Sequence, residues 1–174
     1  MSADTASATF VGVRVVGGLL PADLLAKLVA GQADGLSSKD FHLAAGETVR
    51  DAANRVWAYL RGAWTTYRAA LDALPAYDAA TGLTRERFAL VLLDQLGYGR
   101  VHPTPKGGLQ VGERSFPISH LWGSVPIHLL GRVAVDTRTK GVAGAAGASP
   151  QSMVQELLNR SEEYLWGILA NATT

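Results

Sequence analysis

Between Glu47 and Leu74 hydrophobic residues recur mostly every three or four positions: Val49, Ala53, Val56, Trp57, Leu60, Trp64, Tyr67, Leu71 and Leu74. That repeat is one face of an α-helix. Arg50, Arg55, Arg61, Arg68 and Asp72 fall mainly off the stripe, and Pro75 cannot continue a helix. The spacing predicts one long amphipathic helix whose aromatic side chains face a core. Upstream, residues 1–9 are small and polar and read as a frayed terminus, Phe10 to Val16 as a short strand, and Gly17-Gly18 as its end. Pro21 suits the first turn of a helix reaching about Ala30, and Ser37-Ser38-Lys39-Asp40 marks a turn.

Thr84 is placed to cap a third helix, with Phe88, Val91, Leu92 and Leu96 on one face and Gly97 as a left-handed stop. After Gly97 the period changes. Leu109-Gln110-Val111, a turn at Gly112-Glu113 and Ser115-Phe116-Pro117-Ile118 read as a hairpin, and Val125 to Leu130 as a buried strand. Pro117 and Pro126, which lack the N–H a ladder needs, belong at edges or strand starts. Residues 141–149 are almost entirely Gly, Ala and Ser and predict a flexible loop; Ser149-Pro150 then supplies the N-cap and first residue of a helix to about Arg160. Leu165 to Ala170 closes as a strand.

These elements predict a single mixed α/β domain over 1–174. A mainly helical part (1–80) precedes a core (81–174) ordered helix, three strands, helix, strand. The hairpin, the Val125 strand and the Leu165 strand are expected in one sheet, flanked by helices at 84–96 and 150–160.

Composition narrows the function. The 174 residues are 48% hydrophobic and 18% charged, with a net charge of +1, which fits one folded domain and excludes a surface that grips nucleic acid everywhere. No cysteine is present, so disulfides, thiolate metal sites and cysteine nucleophiles are excluded. The apolar stretch from Phe10 to Leu20 is not read as a signal peptide, because Asp4 and no cation precede it and Arg14 interrupts it. No run reaches the length of a membrane helix. The expected location is the cytoplasm, with no membrane partner.

Candidate chemistry is sparse. The four histidines, His42, His102, His120 and His128, lack metal-ligand spacing, and only His120 and His128, on adjacent strands, are candidates to meet. Gly141, Gly144 and Gly147 are not in dinucleotide order and no Walker lysine follows, so no cofactor is expected. From Arg100 to Lys140, six cations (Arg100, Lys106, Arg114, Arg132, Arg138, Lys140) stand against Glu113 and Asp136, a local +4. Arg100, Lys106, Arg114 and Arg132 are the candidate DNA contacts. A methyltransferase signature is missing: no Asn/Asp-Pro-Pro-aromatic tetrapeptide occurs.

Four strings, Leu83-Thr84-Arg85-Glu86-Arg87, Gln95-Leu96-Gly97-Tyr98-Gly99, Phe116-Pro117-Ile118-Ser119-His120-Leu121-Trp122-Gly123 and Val125-Pro126-Ile127-His128-Leu129, carry a family likeness. So do Ser149-Pro150, Val154 to Ser161 and Leu165-Trp166-Gly167-Ile168-Leu169. From about Val16 onward the chain resembles the N-terminal region of large type IIG-like bacterial restriction–modification proteins, which fuse an endonuclease to an adenine methyltransferase in phage-defence loci. The resemblance implies a PD-(D/E)XK nuclease-like fold, whose core order is the one read above, and DNA or a methyltransferase polypeptide as partner. Such a nuclease holds Mg²⁺ on two or three carboxylates. Here His120 and Pro126-Ile127-His128 stand on the corresponding strands, which implies a degenerate domain with no catalytic residues. The rival reading is an endonuclease with an irregular Mg²⁺ site at Asp136, Lys140, Gln155 and Glu156. Relatives continue through an Asn-Gly turn, whereas Ala172 follows Asn171 here; a split subunit, a gene remnant and a separately encoded domain all stay open.

Overall fold

The computed structural model describes residues 20–171 except 134, 136, 137, 143 and 146. The strand expected at Phe10 to Val16 lies outside these residues. The described part is mixed α/β, with four helices and a mixed sheet. By compactness the chain divides at 55/56, inside the second helix, into units 1–55 and 56–174.

In the first unit, α1 (Ala22–Ala30) follows Pro21, which sits at the cap itself, and ends at Gly31 in the left-handed conformation. The Ser37 hydroxyl and amide both donate to the Asp40 carboxylate, closing the predicted turn. Helix α2 (Val49–Asp72) begins here and continues into the second unit. It opens on a reciprocal box: the Asp51 amide donates to the Thr48 hydroxyl, and the Thr48 amide to the Asp51 carboxylate. The Thr48 hydroxyl also donates to that carboxylate, and it, with the Thr48 amide second, holds the Asp51 carboxyl below its ordinary range.

In the second unit the stripe on α2 is narrower than its pattern implies. Leu60, Tyr67 and Leu71 are buried and Trp64 is half-buried, but Trp57 is 64% exposed. The expectation that Trp57 faces a core is therefore corrected. Trp64, Tyr67 and Phe88 stack together, and the Tyr67 hydroxyl shares a 3.0 Å hydrogen bond with Thr84. Tyr67→Phe is expected to cost about 1 kcal/mol in urea denaturation, because it strands a buried hydroxyl.

Thr84 is thus not a cap. Helix α3 covers residues 81–98, starting with Thr81–Thr84 and Leu90–Leu93 as α-helix and Arg85–Ala89 and Asp94–Tyr98 as wide π-type turns. The i→i+5 turns rotate the helix face. Ala89 and Leu93 are buried in place of the expected Val91 and Leu96, and Leu96 is exposed. Gly97 stops the helix with φ 87°, as its position predicts.

Six strands follow among the described residues: β1 (His102–Pro103), β2 (Leu109–Val111), β3 (Arg114–Phe116), β4 (His120–Trp122), β5 (Val125–Leu129) and β6 (Ile168–Ala170). The hairpin β2–β3 forms where predicted, but as a separate two-stranded sheet rather than part of the larger one. The larger sheet has the order β1-β4-β5-β6, antiparallel except for the parallel β5–β6 pair. Pro126 is the second residue of β5, ahead of the stretch paired with β6. Helix α4 (Pro150–Arg160) starts as its sequence predicts, with the Ser149 hydroxyl accepting from the Ser152 amide at 3.2 Å.

The two faces of the large sheet are covered differently. Ala89 and Leu93 of α3 pack with Ile127 and Leu129, while Met153, Val154 and Leu157 of α4 join Phe116, Ile118 and Ala145. Within the segment expected as a free loop, Ala145 and Ser149 are fully buried. Small side chains let this backbone lie close against the sheet. No helix among the described residues is long and apolar enough to cross a membrane.

Candidate functional site

The most polar part of the core lies where α3 meets β4 and β5. Arg85, from the first π-type turn, is half-buried, and its Nε donates to the Leu129 carbonyl at 3.0 Å. It makes no ion pair among the described residues. Burial pulls the guanidinium pKa down.

Ser119 organises the strand pair. Its hydroxyl donates to the Ile127 carbonyl at 3.1 Å and accepts from the Leu129 amide at 2.9 Å, while His120 Nδ1 lies 2.9 Å away. A hydroxyl has one proton. With that proton on Ile127, Nδ1 must be the donor in the third bond, which leaves His120 Nε2 as an acceptor. Burial, then the Arg85 charge, lowers the His120 pKa and favours the neutral ring.

His120 and His128 do not meet as expected. His120 pairs with Ile127 and shares its face, whereas His128, one residue on, takes the opposite face of the pleated sheet. There it is 1% exposed against the Gly144 backbone, and neither ring nitrogen makes a well-formed hydrogen bond among the described residues. Burial first, and Arg85 second, push its pKa down to about 4, with the Gly144 backbone working the other way.

Arg85, Ser119 and His120 line one cleft of about 500 Å³. Its other walls come from the segment between β1 and β2, including Thr104, Pro105, Gly107 and Gly108, and from Pro117 and Ile118. Gly108 has φ 88°, and a Cβ there would overlap the Phe116 carbonyl, so this wall requires glycine.

The residues singled out by sequence are dispersed. Arg100 and Lys106 are exposed, and Lys106 sits between two residues of the cleft wall. Arg114 is bound to Glu156 at 2.6 Å and lies over the Phe116 ring. Arg132 clamps the end of α2, donating to the carbonyls of Leu71 and Pro75. Of the rival metal set, Asp136 lies outside the described residues. Lys140 and Gln155 are exposed, and Glu156 Oε1 accepts from both Arg114 and Arg160. No group of three potential metal ligands occurs among the described residues.

Sequence reasoning missed Arg85. Its signal was positional: Arg85, Ala89 and Leu93 follow at intervals of four, so a cation heads the buried stripe.

Comparison of the chain with protein-family models, curated proteins and solved structures finds no significant match.

Proposed function

We propose that the chain is a nuclease-like, catalytically silent module of a restriction–modification system that engages DNA at the rim of the Arg85 cleft, alongside a methyltransferase polypeptide. One observation carries this reading: an unpaired, half-buried guanidinium faces the strands on which a nuclease of the resembled kind needs carboxylates. Mg²⁺ requires hard oxygen ligands. Here β4 and β5 offer imidazoles that burial keeps neutral, and a fixed positive charge repels a second cation. The residues present do not fit the metal. The same charge attracts phosphate, to which the planar guanidinium is well matched.

The strand order supports the fold part of the reading. With the small hairpin set aside as an insertion, the order is helix, three antiparallel strands, helix and a parallel strand. A protein partner has separate support in Trp122, exposed at the end of β4 and packed edge-on to Tyr98 at 4.9 Å.

Of the candidate cations, Arg85, Arg100 and Lys106 make no ion pair among the described residues, whereas Arg114 and Arg132 are engaged within the fold. If three phosphates are neutralised, a fourfold rise in salt weakens duplex binding by roughly 40-fold. Fluorescence anisotropy of a labelled duplex checks this, with Arg114→Ala expected to change affinity less than about twofold. Absence of binding at low salt would remove the DNA reading and leave the protein partner.

A further inference from the structure

We propose that the cleft beside α3 is a binding site for a phosphate monoester, gripped by the Arg85 guanidinium and by Nε2 of His120. Arg85 carries five N–H donors, and among the described residues Nε alone is used, on the Leu129 carbonyl. A charge taken partly out of water without a counter-ion is costly. Such a charge at the wall of an open cleft is stabilised when an anion enters.

His120 specifies which anion. The Ser119 proton count makes its Nδ1 a donor, so Nε2 presents a lone pair, and no protein group donates to it among the described residues. The ligand must therefore offer anionic oxygens to the guanidinium fork and an O–H to the imidazole. A singly protonated phosphate monoester has both, and its second pKa near ~6 keeps that form populated around neutrality. An internal phosphodiester and a sulfate lack the O–H. The remaining surface suits an organic substituent: Pro103, Pro105, Pro117, Ile118 and Leu90 form an apolar wall. The one acid in the lining, Glu86, is exposed, where solvent and salt screen it.

Two sources carry this chemistry, the phosphorylated end of a nucleic-acid strand and a free nucleotide. The first rests on the DNA reading above; the site itself does not. The test uses the full chain with ¹³C-edited NMR of the histidine rings and calorimetry. Inorganic phosphate and a nucleoside 5′-monophosphate should shift the His120 ring signals and leave those of His102 unmoved. Arg85→Gln should weaken binding by about tenfold or more, and Arg114→Gln by less than twofold. Because Arg85→Gln also removes a bond to β5, the wild-type ring shifts stand as an independent readout should that variant unfold.

A strand with a 5′-phosphate binding about fivefold tighter than its 5′-hydroxyl counterpart identifies the strand end as the source. Equal binding of the two strands, with the mononucleotide still bound, identifies the free nucleotide. Unshifted His120 signals in saturating phosphate overturn the proposal, as does sulfate binding as tightly as phosphate. Duplex binding that persists without any response to phosphate would overturn this site while leaving the DNA reading intact.

Discussion

Acidification from neutral pH to about 4 should remove about 3 kcal/mol of stability through His128 alone. The ring is enclosed and unpaired, so the folded protein resists its protonation until pH falls to about 4, whereas the unfolded chain accepts the proton near its ordinary value of 6.5. The folded pKa is the lower one. Stability is therefore intact above pH 6.5, declines between 6.5 and about 4, and has lost the whole contribution below that window. His120, shifted in the same direction, adds to the decline. Asp40 and Asp51, both held below 3.8, act only under more acid conditions. Urea unfolding at a series of pH values separates the contributions. His128→Leu should flatten most of the slope and, by removing two unsatisfied nitrogens, add about 1–2 kcal/mol at neutral pH. An unchanged slope in that variant would show that His128 is not the group responsible.

Gly131→Ala is expected to be the most damaging small substitution, at about 3 kcal/mol or more. Gly131 follows β5 where the backbone passes against the segment before α3, and the Arg132 amide donates to the Ala79 carbonyl at 2.7 Å. A Cβ on Gly131 would overlap that same carbonyl oxygen and crowd the Thr81 amide. Both obstacles are backbone, so no side-chain rotation relieves them. Gly62→Ala, in the interior of α2 with open space around it, is the control and should be neutral or slightly stabilising. Similar melting temperatures for the two variants would contradict the close approach.

Much of the fold is local in origin and was legible for that reason. The turn between β2 and β3, the Ser149-Pro150 start of α4 and the Gly97 stop each depend on a few adjacent residues. Features set by distant partners were not. The π-type turns of α3 shift its face, so a strict helical period selects Val91 and Leu96 where the fold buries Ala89 and Leu93. Small residues near 145 read as a linker, yet small size is what lets that backbone cover His128. The cleft depended on the first of these, the actual face of α3. Arg85 reaches β5 only through the actual packing of α3, and the opposite facing of His120 and His128 follows from a register no spacing rule contains.

The proposed function separates binding DNA from cutting it. The most direct measurement incubates supercoiled plasmid with the purified chain and Mg²⁺ or Mn²⁺, at a salt concentration where a duplex is bound. The account predicts retarded mobility of the DNA with every molecule still supercoiled after the protein is removed. Metal-dependent nicking that disappears in Asp136→Ala or Glu156→Ala would contradict it, because carboxylates would then hold a metal despite the Arg114 and Arg160 contacts to Glu156.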